Sequence, residues 1–328
     1  MKTTFTKYGQ KDGKDLCEIT LTNDQGTQVK VLNYGATLEQ VLLDGENMIM
    51  SLPQAEDYSK ERNFLGGTVG RICGRVKLGQ WHHGNTILQL PQNDGENHIH
   101  GGIGTDMRVW NFKLHADKDT ARVDLSLFDP DGNNGFPGNM KLHASYELDE
   151  DNHVFYTLEA VSDQLTIFNP ANHTYFTLGE KAKDLKMQIN ADYYLPVGED
   201  GLPTTGMASV KDTVFDFTRR KKISEALNSN DDQIKLRNGI DHPFILNGNQ
   251  PAAILTGNKH KMTMTTNAPA IVVYTGNHFN QTGVASNISQ YDGVTLEAQC
   301  PPAGGTDLSE ITLLPNEKFK RTICWTFE

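Results

Sequence analysis

The sequence predicts an all-β protein, built as a large antiparallel β-sandwich. Apolar and polar residues alternate with a period of two, as they do along a strand that buries one face. Clusters of Gly, Asn and Asp separate the alternating segments, and apolar residues at helical spacing are scarce. Two stacked antiparallel sheets would accommodate so many strands, with loops at the rims and one sheet face left concave.

Each predicted element follows from the local pattern. Period-two alternation predicts strands at 123–127, 140–148, 154–158, 185–189 and 323–327. Turn-forming residues at 131–135, 198–201 and 247–249 predict hairpins or longer loops. A helix is predicted at 218–228, where Ile223, Ala226 and Leu227 have helical spacing, and a second, short one at 55–60.

The whole chain, residues 1–328, is predicted to form one domain. No Pro/Ser-rich linker, low-complexity tract, charge block or internal repeat divides it. A chain of this length buries about 75% of its unfolded surface, so its stability requires neither a metal nor a disulfide.

The charge balance argues against nucleic acid as a partner. The chain has 30 Lys+Arg and 41 Asp+Glu, a net charge of −11, and a pI near 5.5. Phosphate binding needs a basic footprint, and the longest basic run, 219–222, is short and isolated. We interpret that run as a solvated turn.

The sequence also predicts a cytoplasmic protein with no membrane association. No stretch approaches the roughly 18 apolar residues that span a bilayer, and polar residues occupy the place of a signal peptide's apolar segment. Four cysteines are spread along the chain without a CxxC pair, which favours reduced thiols that behave as small buried or half-buried hydrophobes. They are Cys17, Cys73, Cys300 and Cys324.

The strand at 294–299 carries the first candidate site. Its alternation places an acid and an amide on one face and an apolar back on the other. A polar groove lined by sheet residues requires this arrangement, whereas a surface strand with a solvated glutamate is the simpler alternative. The polar face consists of Thr295, Glu297 and Gln299, and the apolar face of Val294, Leu296 and Ala298.

Two histidine segments are the next candidates. His173 follows Pro170 in an extended segment rich in aromatics, where it is either a proton donor near neutral pH or a satisfied core residue. His98 and His100 form an H-x-H pair that would direct both imidazoles to one strand face. A zinc or copper site needs further ligands at readable spacing, and because none is found we expect no metal.

The glycine-rich segment 66–71 does not fit a dinucleotide-binding loop, because its spacing is wrong and no helical pattern follows. Arg71 and Arg75 are expected to share a strand face. Either guanidinium would bind sugar hydroxyls or a carboxylate, or form a structural ion pair.

Taken together, these segments resemble the aldose 1-epimerase (galactose mutarotase) family, in order along nearly the whole chain. Each motif is weak alone, and their shared order carries the resemblance. The matching stretches are Asn33-Tyr34-Gly35-Ala36-Thr37, Gly70-Arg71 with Arg75, His100-Gly101-Gly102 followed by Trp110, Asn172-His173-Thr174-Tyr175-Phe176, Phe215-Asp216-Phe217, Asp241-His242-Pro243-Phe244, Tyr274-Thr275-Gly276-Asn277, and Leu296-Glu297 with Gln299.

The resemblance implies a β-sandwich whose concave groove binds one hexopyranose and interconverts its α and β anomers without a cofactor. It implies His173 as the general acid on the ring oxygen and Glu297 as the general base on the anomeric hydroxyl. The same resemblance assigns the binding of the sugar hydroxyls to four residues, Arg71, His100, Asp241 and Gln299. We expect a monomer or homodimer.

Four departures from the family pattern put the sugar preference in doubt: Gly74 and Thr177 where Asn is common, the segment 300–302, and the segment 103–109. Alternatives therefore stay open. A disaccharide such as maltose, or a hexose phosphate, would suit the same fold and mechanism, the phosphate requiring clustered basic residues. Two alternative functions also stay open. One is a glycosidase with Asp241 and Glu297 as its carboxylates, and the other is a non-catalytic sugar-binding module.

Overall fold

The computed structural model describes residues 1–204 and 206–328, and most of them lie in strands or in the loops between strands. In chain order the strands are β1 (Lys2–Lys11), β2 (Lys14–Thr22), β3 (Gln28–Leu32), β4 (Thr37–Leu43), β5 (Glu46–Asn47), β6 (Thr68–Val69), β7 (Arg75–Val76), β8 (Gln80–His83), β9 (Thr86–Gln89), β10 (His98–Ile99), β11 (Asn111–Ala116), β12 (Thr120–Asp129), β13 (Met140–Asp149), β14 (His153–Ser162), β15 (Thr166–Ile167), β16 (Ala171–Asn172), β17 (Tyr175–Phe176), β18 (Lys186–Ile189), β19 (Tyr193–Tyr194), β20 (Ala208–Ser209), β21 (Lys221–Lys222), β22 (Asp241–Ile245), β23 (Ala253–Thr256), β24 (Lys261–Thr266), β25 (Ala270–Tyr274), β26 (Val294–Gln299), β27 (Thr312–Leu313) and β28 (Lys318–Phe327).

The helices of the described residues are short. The predicted helix at 218–228 forms only as α1 (Ile223–Leu227), because the preceding Lys221–Lys222 pairs with the sheet as β21. None of the described helices is long and apolar enough to cross a bilayer. Besides α1 there are α2 (Asp232–Arg237) and single 3-10 turns at Ala55–Ser59, where the second helix is predicted, and at Lys77–Gly79, Thr105–Met107, Asn133–Gly135, Ala182–Asp184, Gly283–Ala285 and Ser309–Ile311.

Three antiparallel sheets organise these strands within residues 1–204 and 206–328. The largest has nine strands in the order β11-β12-β13-β14-β28-β24-β23-β18-β21, and it contains the predicted strands at 123–127, 140–148, 154–158, 185–189 and 323–327. A six-stranded sheet runs β17-β26-β25-β22-β19-β20, and the N-terminal sheet runs β1 to β5 in sequence order. Short two-stranded ladders, β6 with β16 and β7 with β10 among them, join the sheets near the site.

The three sheets share one apolar core, which explains the sandwich. Along β13 the burial alternates residue by residue, since one pleat face packs inward and the other faces solvent. The main cluster draws on the nine-stranded sheet (Leu125, Leu142, Trp325), the six-stranded sheet (Ile271, Val273, Leu296) and the N-terminal sheet (Ile19, Val29, Val41). The predicted all-β antiparallel sandwich is thereby confirmed.

The six-stranded sheet has two unlike faces. Its apolar face packs into the core, while the other face carries polar and aromatic residues in register across three strands. On that face Val272 lies opposite both Pro243 and Glu297, and Tyr274 lies opposite both Asp241 and Thr295. All six residues of β26 are buried, so the alternative of a solvated surface strand is wrong. The predicted two unlike faces are confirmed, because the core contains Val294, Leu296 and Ala298 whereas the groove lining contains Glu297 and Gln299.

Candidate active site

A groove of about 410 Å³ lies over the polar face of the six-stranded sheet, a volume in the range of small-molecule sites. Side chains of the sheet form its floor, and loops at 61–64, 74–75, 99–100 and 278–285 form its walls. Of the predicted site residues the lining includes His100, His173, Asp241, Glu297 and Gln299. Sequence positions 100 to 299 thus converge on one groove, which is concave as the sequence predicts.

Glu297 lies on the groove floor, 4% exposed, with protein contacts at both carboxylate oxygens. Oε1 accepts a hydrogen bond from the Thr295 hydroxyl at 3.0 Å and lies 3.3 Å from Nε2 of His173. Oε2 accepts from Nε2 of Gln299 at 3.2 Å and from the Cys73 thiol at 3.3 Å. The carboxylate is therefore held in one orientation, which is what a positioned base requires.

The backbone around His173 is fixed by the glycine-rich segment. The peptide N–H of His173 donates to the Gly67 carbonyl at 2.9 Å, and its carbonyl accepts from the Gly66 N–H at 3.0 Å. Gly66 has φ +66°, and a Cβ there would overlap the Leu38 carbonyl oxygen, so only glycine allows this approach. Segment 66–71 thus brings β6 against β16 and fixes the backbone position of His173.

His100 is held as a neutral hydrogen-bond donor. Its Nδ1 accepts from the Gly74 N–H at 3.2 Å, which assigns the ring hydrogen to Nε2. Burial, and next the neighbouring His173, hold the pKa of His100 well below its usual value. The imidazole stays uncharged at neutral pH and presents Nε2–H as a donor.

The H-x-H pair, His98 and His100, does not present both imidazoles on one strand face. His100 has φ +50° and lies past the end of the two-residue strand β10, so the strand alternation fails there. His98 is buried, with Nδ1 2.8 Å from the Pro91 carbonyl and its ring edge against Phe136. The two imidazoles have separate surroundings.

Asp241 stands at the start of β22 and is oriented by an ion pair. Its Oδ2 accepts from Arg237, at 2.7 Å from Nη2 and 3.3 Å from Nε, which leaves Oδ1 for the groove. The peptide N–H of Asp241 donates to Nδ1 of His242, whose Nε2 lies 3.0 Å from Oε1 of Gln233. Burial lowers the pKa of His242 to about 4, so this support is uncharged.

Arg71 does not reach the groove, and its predicted sugar-binding role is wrong on geometry. Its guanidinium is 1% exposed, donates to Asp129 at 2.6 Å, and donates to the carbonyls of Pro137 and Gly138 at 2.8 Å each. Arg75 lines the groove instead, with Nε donating to Asp94 at 2.6 Å.

The shared strand face expected for these two arginines is also absent. Gly74 between them has φ +84°, which turns the chain and separates the two side chains. Asn tolerates this left-handed conformation better than most residues. This tolerance fits the family pattern, in which Asn is common where this chain has Gly74. A Cβ at Gly74 would meet nothing within 4 Å, so glycine leaves groove space open.

Two further lining residues, Phe64 and Arg62, escape sequence reasoning. Phe64 lies against both imidazoles, its ring centroid 4.7 Å from that of His100 and 5.8 Å from that of His173. Arg62 pairs with Asp106 at 2.8 Å and donates to the His100 carbonyl at 2.7 Å, which fixes the loop that carries His100. Thr295 could be found from its shared strand face with Glu297, whereas no local signal indicates the loops.

Metal-binding capacity is confined to two groups among the described residues. Cys73, His173 and Glu297 bring one ligand atom each within 4.8 Å of one another, all three buried. Asp149, Asp151 and His153 form a more exposed group at the turn after β13.

Chemically, the groove floor presents a histidine and a carboxylate 3.3 Å apart, surrounded by neutral and charged hydrogen-bonding groups. Such a pair transfers protons to and from two adjacent atoms of a bound molecule. A model of the family described as aldose 1-epimerase matches residues 18–324. The chain belongs to the aldose 1-epimerase family. The resemblance seen in the sequence and the prediction of a carbohydrate isomerase are confirmed.

Individual members of the aldose 1-epimerase family are similar over 90% or more of the chain. A crystal structure described as galactose 1-epimerase from Lactobacillus acidophilus NCFM is 71% identical, with a TM-score of 0.99 over 100% of this chain and 98% of that one. A protein named aldose 1-epimerase from Haemophilus influenzae is 32% identical over 311 residues, 90% of each chain. A protein named maltose epimerase from Levilactobacillus brevis is 27% identical over 343 aligned positions, 100% of this chain and 99% of that one.

Proposed function

We propose that the protein interconverts the α and β anomers of free hexoses such as galactose and glucose, by acid/base-catalysed opening and reclosure of the pyranose ring. The observation that carries this proposal is the His173–Glu297 pair, 3.3 Å apart on the floor of a groove of hexose size. A hemiacetal presents its ring oxygen O5 and its hydroxyl O1 on the same carbon. An acid and a base that lie in contact can therefore reach O5 and O1, the two atoms that exchange protons.

Ring opening needs one proton removed from O1 and one delivered to O5. Oε1 of Glu297 takes the O1 proton as the C1–O5 bond breaks, while Nε2 of His173 donates its proton to O5. Rotation about C1–C2 then exposes the other face of the aldehyde carbon. Reclosure uses the same groups in reverse, because His173 is left without that proton and Glu297 is left with one. Each positioned group contributes about 10² to 10⁴ in rate.

The remaining lining groups orient the sugar. His100 donates from Nε2, and Asp241 accepts at Oδ1. Gln299 is shared between substrate and base, because its Nε2 also donates to Glu297 and its Oε1 accepts from Asn169 at 3.2 Å. Arg75 takes the role first assigned to Arg71, since its guanidinium lies on the groove wall.

The groove favours an uncharged sugar over a hexose phosphate. Its lining guanidinium groups in the described chain belong to Arg62 and Arg75, and each is paired with an aspartate, Asp106 and Asp94. A phosphate would have to break one of these pairs. The Asp241 carboxylate forms an ion pair with Arg237. This pairing gives no support to a glycosidase in which Asp241 is the second catalytic carboxylate.

A reducing disaccharide is the second candidate substrate. Space beside Gly74 is open, and a relative over the whole length is named maltose epimerase. The two candidates differ in whether a second sugar ring has to be accommodated, since the reducing ring lies against the acid/base pair in both.

Polarimetry tests the proposal directly. Freshly dissolved α-D-galactose, α-D-glucose and maltose are followed at neutral pH with EDTA present, with the protein and with its Glu297→Gln variant as the matched control. We expect faster mutarotation of the free hexoses with the protein and a loss of at least 10² with the variant. Equal rates with and without the protein for all three sugars would refute the catalytic proposal and leave the sugar-binding alternative.

We further infer a single folding domain spanning 1–328, a cytoplasmic location, and a small sugar as the partner rather than nucleic acid or a membrane. The core shared by all three sheets supports one domain, and the net charge of −11 disfavours nucleic acid. The monomer or homodimer expected from the sequence stays a prediction, which sedimentation at several protein concentrations would test.

A further inference from the structure

We propose that the groove floor is also a binding site for a soft divalent transition-metal ion such as Zn²⁺ or Cd²⁺, held by Cys73, His173 and Glu297, and that this ion inhibits the enzyme reversibly. The binding site stands on geometry alone. The inhibition rests on the proposed function, because it follows from the ion occupying the acid and the base.

The three ligand atoms converge from separate parts of the chain. Cys73 follows β6, His173 follows β16, and Glu297 lies within β26. The carboxylate of Glu297 is 3.3 Å from Nε2 of His173 through Oε1 and 3.3 Å from Sγ of Cys73 through Oε2. All three side chains are at most 5% exposed, so they have little freedom to disperse.

These separations suit a tetrahedral ion. Zn²⁺ binds sulfur at about 2.3 Å and nitrogen or oxygen at about 2.0 to 2.2 Å, which places neighbouring ligand atoms roughly 3.3 to 3.7 Å apart. The observed separations on either side of the Glu297 carboxylate fall at the lower end of that range. One ligand atom from each residue lies within 4.8 Å of the other two, and binding would draw the three atoms together around the ion.

The fourth coordination position opens on the groove. His173 and Glu297 both line it, so an ion enters by the route that a sugar takes. Three protein ligands with one open position is the coordination number of zinc sites that retain a water. Thiolate, imidazole and carboxylate together favour Zn²⁺ or Cd²⁺ over Mg²⁺ or Ca²⁺, which prefer oxygen ligands.

The surroundings indicate an inhibitor rather than a resident ion. Zinc-bound histidines usually donate from their second nitrogen to an acceptor, whereas Nδ1 of His173 is buried without a hydrogen-bond partner in the described structure. The Cys73 thiol donates its proton to Oε2 of Glu297. A binding ion has to displace that proton, which lowers the affinity of the ion.

Direct binding is measured first, without any use of activity. The EDTA-stripped protein is titrated with Cd²⁺, and the ultraviolet thiolate-to-cadmium charge-transfer absorption is recorded. Cys73→Ser tests the thiol, and Cys300→Ala is the matched control, because Cys300 is a half-buried thiol next to Gln299. We expect saturation at one equivalent in the wild type and in Cys300→Ala, and at least a tenfold loss of affinity, with no thiolate band, in Cys73→Ser.

Inhibition is then measured by polarimetry with Zn²⁺, each protein relative to its own metal-free rate. We expect inhibition that EDTA reverses, that galactose weakens, and that needs at least tenfold more Zn²⁺ in Cys73→Ser. Should that variant not fold, displacement of wild-type Cd²⁺ absorption by galactose serves instead, since both ligands need His173 and Glu297.

The outcomes separate the two proposals. An unchanged Cd²⁺ band in Cys73→Ser, a band lost in Cys300→Ala, or a folded wild type that shows no band overturns the metal site. A saturable Cys73-dependent band in a protein that does not accelerate mutarotation supports the metal site and refutes the proposed function.

Discussion

Arg71 and Arg75 lie four residues apart, and replacing each by methionine is expected to change different properties of the protein, its stability or its sugar affinity. We predict that Arg71→Met loses stability and keeps its sugar affinity. Arg75→Met is predicted to keep its stability and lose sugar affinity. The contrast follows from where the two guanidinium groups lie, and it tests the placement of the groove wall.

The magnitude for Arg71 follows from its contacts. Its guanidinium and the Asp129 carboxylate are 1% and 5% exposed, so removing the cation leaves a buried carboxylate. Breaking a buried pair costs about 3 to 5 kcal/mol. Asp129 keeps Arg108 at 3.5 Å and the Asn133 amide, so we expect a loss of unfolding free energy near the lower bound, about 3 kcal/mol.

The Arg75 pair is much more exposed. Its side chain is 21% exposed and that of Asp94 is 38% exposed, and such pairs contribute about 0 to 1 kcal/mol to stability. A lost charge-assisted hydrogen bond to the sugar costs about 1.5 to 3 kcal/mol. We therefore expect kcat/KM of Arg75→Met to fall roughly 10- to 100-fold.

Urea unfolding measures the stability, and polarimetry over a range of galactose concentrations measures kcat and KM for the folded protein. The double variant Arg71→Met/Asp129→Leu should recover part of the lost stability, since it removes the orphaned carboxylate. A stable Arg71→Met with KM raised tenfold or more would refute the reasoning, because Arg71 would then contact the sugar.

Glu297→Gln and His173→Asn should each lower the mutarotation rate by at least 10² while sugar binding stays measurable by calorimetry. Near-full activity in either variant would remove the catalytic role of that residue. Gln299→Leu removes one donor to the Glu297 carboxylate, so kcat should fall about tenfold. A raised KM with an unchanged kcat would leave Gln299 a binding group only. Gly74→Asn should alter the unfolding free energy by less than about 1 kcal/mol and raise KM for maltose more than for galactose, and an equal effect on both sugars would mean that position 74 does not limit the substrate's size. Burial, and next Glu18, raise the pKa of Glu39 from 4.5 to about 8. The folded state therefore keeps a proton that the unfolded chain releases. The contribution of this proton to the free energy of unfolding is complete below pH 4.5 and is lost as pH rises through 8. Urea unfolding of the wild type should therefore show about 2 kcal/mol more loss between pH 6 and pH 9 than that of Glu39→Gln, and parallel curves would contradict the raised pKa.

The sequence predicts those parts of the fold that depend on residues close together along the chain. It does not predict the parts that depend on pairing between distant segments. Side-chain alternation repeats every two residues, so the long strands of the nine-stranded sheet are visible in the sequence. The helix at 218–228 is overestimated, because strand β21 takes its first turn and pairing with β18 is not a local property. The two unlike faces of β26 are also local, which is why Glu297 and Gln299 were found together.

The sequence by itself determined five strands of the nine-stranded sheet, strand β26, the excess negative charge, and the histidine, carboxylate and amide that the groove gathers. Periodicity and residue type are properties of neighbours along the chain. Only the tertiary structure decided that Arg75 rather than Arg71 faces the groove, because the positive φ at Gly74 turns the chain between them. It also decided that Cys73 contacts Glu297, 224 residues away. Such contacts arise where separate sheets pack against one another, and no short stretch of sequence records which strands will meet.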